Sequence, residues 1–522
     1  MHQLKFLFAK NFVIRFAAIL ILLIFYGFLY KLLIPRITAF GCFDDCFNFG
    51  GGYFLLHGKM LFSQIFFNHA PFMAHLSSFI QNTTRPENLF ALILRHRQFL
   101  LIFGFVCESV LLLRFGIAIL PIAIIYELTK FYFFGDRFLG EAFIVYPLMY
   151  MLGLVFDKYT KNHLIALDYF LVSLCLWFVF FTREPYILAA LFLATLIVWG
   201  REDKKSKFIA GAMLIFLSLG TVLSYNMPEL FFNVWSVNTT LFVPGKNLFV
   251  NTLIQGFAYP LFIFFYGQWN FIRYVEIALS VVFLLSNIFF LHKSRLKILT
   301  AVWIILGLAN LRVIQPGDEY YAAFHLLPWY ALFIFATVFL VWQVKLWSKA
   351  LFAVEISIFA AIVAFVTFSP GSYTHDKIDE QTEFITNYSN VLQVGNVVAA
   401  LSNPRDTLFL DGSEDMIYVV AKRYSPYQYS WYTSRMPEYT KYTNARLYMF
   451  KTSPPDFYYG SCPKQKDPHF LLPDFIANEY TRLYNLKNPS CLWVKKSKLS
   501  TISKNQWEKA GESLYFQTPT TR

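Results

Sequence analysis

Between residues 16 and 368 the chain repeats one pattern: apolar runs of about 15 to 23 residues, separated mostly by short turns that carry Lys or Arg. A run of about 20 apolar residues is what an α-helix needs to cross a hydrocarbon core of about 30 Å. Backbone exposed to lipid must satisfy its own hydrogen bonds, so runs of this length commit the chain to helices. Composition agrees. Hydrophobic residues make up 57% of the chain and charged residues 15%, with a mean hydropathy of +0.47; soluble domains carry about 25% charged residues. With 61 Phe and 32 Tyr among 522 residues, lipid has to be part of the solvent. The fold class expected is an α-helical polytopic membrane protein.

Hydropathy and the basic clusters together predict about eleven spans: 16–34, 99–113, 115–130, 138–156, 164–182, 186–200, 207–226, 271–291, 298–313, 322–344 and 351–368. The net charge of +13 does not point to nucleic acid, because many of the cations sit in short inter-run clusters such as 201–207 and 292–297. Cytoplasmic turns collect Lys and Arg in this way. The turns at Arg114, 157–163, 201–207, 292–297 and 345–349 are therefore assigned to the cytoplasm. The basic start (Lys5, Lys10, Arg15) is followed by a long run and then Pro35-Arg36, not by a small-residue cleavage site, so the first run reads as a retained helix. This puts the N-terminus inside and the C-terminus outside a multi-pass protein of a plasma membrane, with a bacterial inner membrane as the expected setting.

Residues 1–369 then form the membrane domain, with outer loops at 35–98 and 227–270. Residues 370–522 are polar, rich in Tyr and Pro, and lack long apolar runs. They predict a small extracytoplasmic α/β domain: a helix near 376–402, a strand at 407–412, a helix at 413–423 and a final strand at 491–494. Cys462 and Cys491 lie in this tail and would pair in an oxidising compartment. Cys107 and Cys175 lie in apolar runs and read as packing residues.

The first outer loop carries the densest chemistry. It opens with Asp44-Asp45, flanked by Cys42 and Cys46, and continues through Gly50-Gly51-Gly52-Tyr53, His57-Gly58-Lys59 and Asn68-His69-Ala70-Pro71. Carboxylates where a helix leaves the bilayer are costly unless solvated or used. The alternation of aromatic and small residues over 61–67 predicts a helix lying in the membrane interface.

This arrangement resembles the first outer loop of the GT-C glycosyltransferases, which include protein O-mannosyltransferases and aminoarabinose transferases. Asp44-Asp45 after the first span, 58–62 and His69-Ala70-Pro71 match in order and spacing, with Phe62 where the family often has Tyr. Glu141 before a span, the turn 182–185 and the tail from Leu408 to Arg423 extend the likeness. The resemblance implies a GT-C-like fold and transfer of a sugar from a polyprenyl phosphate in the lipid bilayer to a hydroxyl of a protein, lipid or glycan acceptor, with inversion. An aspartate would act as general base; Asp44 is the first choice with Asp45 orienting the acceptor, and the two roles can exchange. The plain structural role for either is an N-cap on the next helix.

A departing phosphodiester needs cations. Outer-side candidates are Lys59, Arg183, Arg273, Arg312 and Lys246; Arg183 stands beside Glu184, so an internal ion pair is as good a reading. Asp318, Glu319 and His325 form a second polar cluster, fit for substrate contact or for capping a helix start. His69 and His325, joined to Asp44 or Asp45, would make a divalent metal site; lone histidines are more often hydrogen-bonded structural groups, so no cofactor is expected. Glu108 and Arg114, six residues apart, are embedded charges for which a structural role is expected; pairing with each other would need a distorted helix. No phosphate-cradling glycine loop or nucleotide fingerprint is present, which disfavours nucleotide sugars and ATP-driven transport. The rival reading is a lipid-linked-sugar flippase or another transporter, which would set polar groups in mid-membrane, often with internal repeats.

Overall fold

A computed structural model describes residues 2–34, 44–161, 164–200, 203–241, 256–265, 271–292, 296–311, 323–344, 348–368, 388–412, 416–430, 437–485, 488–512 and 515–516. The chain divides into two compact units. The first comprises 1–37, 97–224 and 239–377; the second comprises 38–96, 225–238 and 378–522. Residues of the first outer loop therefore belong with the tail, not with the apolar helices.

Apolar helices build the first unit. They are α1 (His2–Leu33), α4 (Leu89–Phe115), α5 (Ile119–Thr129), α6 (Gly140–Lys161), α7 (Ala166–Thr182), α8 (Ile187–Val198) and α9 (Lys204–Leu223), then Phe271–His292, Leu296–Ala309, Leu327–Val344 and Lys349–Phe368. A helix stands at each expected run, and seven of the described helices are long and apolar enough to cross a membrane. The protein is thus helical and polytopic in character. The helix at the run expected over 99–113 begins ten residues earlier, at Leu89, because 89–98 continues the same helix.

Two charged clusters mark opposite ends of α6 and hence of the unit. At one end Arg114, closing α4, donates to Asp157 of α6 at 2.7 Å and to Asp168 in the first turn of α7 at 2.9 Å. Lys158 bonds the carbonyls of Leu196 and Ile197 at the end of α8, at 2.9 and 3.0 Å. At the other end Glu141, opening α6, meets Arg183 beyond α7. So α6, α7 and α8 each run from one end to the other. α1 runs antiparallel to α4, through Arg15–Leu113 carbonyl, Tyr26–Glu108 and Tyr30–Gln98 bonds. Glu108 and Arg114 lie six residues apart on the regular helix α4, where side chains do not share a face, so each finds a tertiary partner. Glu108 accepts from Tyr26 at 3.0 Å.

The second unit combines two helices, α2 (Asp45–Leu56) and α3 (Phe72–Thr84), with a five-stranded sheet. The strands are β1 (Leu408–Leu410), β2 (Phe457–Tyr459), β3 (Tyr480–Asn485), β4 (Asn488–Lys495) and β5 (Tyr515–Phe516), in the order β1-β2-β4-β3-β5. β1 and β2 are parallel, and the remaining pairs are antiparallel. The strand expected at 491–494 is the centre of β4, and β5 follows it, so it is not the last. Helices Ser389–Leu401 and Met416–Ala421 fall within the expected 376–402 and 413–423. Cys462 and Cys491 are disulfide-bonded.

Gly52 explains how α2 and α3 cross so closely. A Cβ there would stand 2.6 Å from Ser77 Oγ and 2.7 Å from the Ser78 backbone nitrogen. Behind this crossing Ser77 bonds His96 at 2.8 Å, and Gln81 donates to the Phe49 carbonyl at 2.9 Å. Residues 61–67 are not the interfacial helix expected. They form an irregular, buried segment in which Ile65 bridges Ser430 and Phe62 adopts φ +67°. Tertiary partners override the local pattern: Asn233 donates to the Phe62 carbonyl and accepts from the Phe67 amide, and the tail pairs with Ile65.

Candidate active site

Asp44 and Asp45 occupy contrasting environments at the start of α2. Asp44 is exposed at the N-cap position, and its side chain makes no capping bond to the helix. Asp45 is the first helical residue and is fully buried. A carboxylate in the first turn gains from the helix dipole, which favours keeping a buried acid there. His69 packs on the first turn of α2: its ring lies 4.8 Å from that of Phe47, one half-turn after Asp45, and Phe47 is tilted against Phe67 at 4.7 Å.

Lys59 is held elsewhere in this unit. Its buried ammonium donates to the Tyr427 carbonyl at 2.5 Å and to Ser430 Oγ, and lies over the rings of Phe54 and Tyr424. The side chain that the spacing suggested for a phosphate ties the first loop to the tail.

In the first unit, Glu141, Arg183 and His325 converge. Glu141 Oε1 accepts from Arg183 Nε at 2.7 Å and lies 2.9 Å from His325 Nδ1. Tyr186 donates to the His325 carbonyl at 2.6 Å and so anchors the short 3-10 turn Ala323–Leu326. Gly140 lets the turn after α7 close on α6, because a Cβ there would lie 3.0 Å from the Thr182 carbonyl. Arg183 thus has its ion pair with Glu141, forty-two residues away, instead of resting on adjacent Glu184 alone.

No family model matches this chain, and no curated protein matches it significantly.

Three further arginines of this unit are almost fully buried: Arg97, Arg137 and Arg273, each 1–2% exposed. Arg97 lies beside Gln98, which bonds Tyr30 near the end of α1; Arg137 lies in the turn before Glu141; Arg273 is in the first turn of Phe271–His292. The Phe271 ring stacks on Tyr132, just beyond α5, at 5.4 Å. All three therefore belong to the Arg183 end. Arg97 and Arg137 escape a search for outer-turn cations, yet a signal exists. Both lie away from the positive-inside clusters, Arg97 within α4 and Arg137 in a turn, where that bias does not account for them.

Arg312, Asp318, Glu319 and Lys246 lie outside the described residues. Among the described residues, no three His, Cys, Asp or Glu side chains gather as a metal site.

Proposed function

We propose that this protein is a membrane glycosyltransferase. It transfers a sugar from a polyprenyl-phosphate donor to an acceptor hydroxyl at the outer face, with the Arg183 end of the helical unit turned outward. The observation that supports the reading is the pair of carboxylates that opens α2, Asp44 exposed and Asp45 fully buried. In the reaction, Asp44 takes the acceptor hydroxyl proton. The oxygen attacks the anomeric carbon, the carbon–oxygen bond to phosphate breaks, and the phosphate leaves as an anion, which needs a cation beside it. The contrast between exposed Asp44 and buried Asp45 favours Asp44 as base, with Asp45 in the positioning role. The Cys462–Cys491 disulfide suits a tail outside the cytoplasm.

The test is transfer of radiolabelled sugar from polyprenyl phosphates by the purified protein in detergent. Asp44→Asn should lower the rate about 100-fold or more, the usual loss for a general base. Transfer that survives in Asp44→Asn removes the mechanism.

One observation favours the transport reading. Tyr26–Glu108 and the buried Lys130–Glu127 pair at 2.6 Å, with Tyr146 donating to Glu127 at 2.8 Å, form polar groups among apolar helices. Movement of a fluorescent polyprenyl-phosphate sugar across proteoliposomes, without sugar transfer, would select that reading.

A further inference from the structure

Beyond α9, Met227, Phe231 and Trp235 recur every fourth residue, the spacing of one helical face. Asn226 starts a helix here: its side chain accepts from the Glu229 amide at 3.3 Å, and Pro228 fits the first turn. The helix continues to Leu241 through a π turn over Phe232–Ser236. On an α-helix a stripe at four-residue spacing drifts by about 40° per step. The wider π turn offsets that drift and keeps Trp235 on the side of Met227 and Phe231. The Phe231 and Trp235 rings stack at 6.3 Å.

The two faces of this helix differ in chemistry. Inward, Glu229 pairs with Lys441 at 2.6 Å, buried Asn233 bonds the Phe62 carbonyl and the Phe67 amide, and Asn238 bonds Asn68. Outward stand Met227, Phe231 and Trp235, which are 46%, 59% and 61% exposed. A surface helix in water turns its apolar stripe to the protein. This helix turns its largest apolar side chains away from it.

What covers the stripe follows from the chain that leads to it. α9 has membrane length, Ala210 is its one buried residue, and Phe208, Phe216 and Leu223 are 79%, 76% and 74% exposed. So large an apolar surface calls for hydrocarbon around it. Met227 follows Leu223, the last residue of α9, by four residues, and four residues of extended chain reach at most about 14 Å. With α9 in the bilayer, the second helix starts at the membrane surface. A helix with Trp and Phe on its apolar side is the kind that lies there.

We infer that the helix 227–238 lies along the lipid headgroup layer in which α9 ends, with Met227, Phe231 and Trp235 sunk about 5–10 Å into the boundary between headgroups and acyl chains. The interfacial element that the sequence pattern suggested at 61–67 is supplied by this helix instead. Its inner side holds Phe62, Phe67 and Asn68, just before His69, about one helix diameter, 10–12 Å, from the lipid. The inference rests on α9 crossing the bilayer and not on the transferase reading.

The test uses the full chain in nanodiscs that contain tritiated phosphatidylcholine. p-Benzoylphenylalanine replaces Phe231, Trp235, Phe216 of α9 or Lys504, whose side chain is 93% exposed on the helix Lys504–Glu512. After irradiation, lipid label should appear at 216, 231 and 235, each about fivefold or more above that at 504. Label at 231 and 235 no higher than at 504 overturns the inference. So does cross-linking to a second copy of the chain in place of lipid, which would make the stripe a protein interface. Absence of label at 216 would show that α9 does not cross, and the inference falls with it. Depth is read separately, from the emission that wild type has and Trp235→Phe lacks. Lipids brominated next to the headgroup should quench it more than lipids brominated near the chain end. Quenching that is equal, or stronger near the chain end, overturns the interfacial position.

Discussion

Burial pushes the Lys59 amine down to about 7 from the usual lysine range. The consequence for stability has a definite sign. Between about pH 7 and the unfolded value near 10.4, the unfolded chain holds a proton that the folded chain has lost. Folding stability therefore rises with pH through that window, by up to about 1.4 kcal/mol per pH unit, and is flat below it with respect to this group. The thermal midpoint in detergent should climb between about pH 7 and pH 9. Lys59→Met, which keeps the aliphatic stem and removes the titrating group, should flatten the climb. A slope that persists unchanged in the variant would mean that Lys59 keeps its proton throughout, with the Tyr427 carbonyl and Ser430 stabilising the ammonium more than burial penalises it. The same residue shows why motif position alone misdirects. His57-Gly58-Lys59 reads as an exposed cation, yet its charge is enclosed by aromatic rings that come from α2 and from the tail.

At the scale of elements, the α2–α3 crossing depends on the absence of a side chain at Gly52. The atoms that a Cβ would strike include the Ser78 backbone nitrogen, which cannot rotate away. Gly52→Ala should lower stability by about 1–3 kcal/mol, the cost of overpacking a tight interface. Gly211→Ala, on α9 with nothing within 4 Å, should change it by no more than about 1 kcal/mol. Thermal unfolding of the two variants side by side checks the contrast, and equal midpoints would mean that α2 and α3 can separate freely. Elements long enough to carry their own period were legible in the sequence, and so each apolar run has its helix. β2 was not, because three residues at 457–459 carry no alternation and form a strand only by lying between β1 and β4. Residues 61–67 failed for the opposite reason: their pattern is real, but Asn233 and the tail supply better partners than an interfacial helix would. As candidates, Asp44-Asp45 and His69 are named from the sequence pattern of the first loop alone. The Arg183–Glu141–His325 cluster could not be assembled that way, since it joins three positions up to 184 residues apart.

For the whole molecule, the composition of the second unit constrains the membrane topology. Its three segments, 38–96, 225–238 and 378–522, form one compact body, and such a body lies on one side of a bilayer. The number of crossings in 97–224 must then be even, and likewise in 239–377. The helices of full membrane length supply three in each stretch, an odd number. The shorter helices have to contribute, and contact geometry says which do. α7 links the Asp168 end to the Arg183 end, α8 returns to Lys158, and α5 must connect the Arg114 end of α4 to the Glu141 end of α6. We propose that Leu296–Ala309 adds to the second stretch, which would make the crossings six and four and, with α1, eleven. On the proposed orientation, phosphatase reporters fused after Asp136 and after Arg522 are active outside, and those fused after Ile117 and Leu346 are inactive. A reporter after Asp136 that reads cytoplasmic would show that α5 turns back instead of crossing. The parity would then require exactly one of α7 and α8 to cross, contrary to the ends on which Arg183 and Lys158 are found.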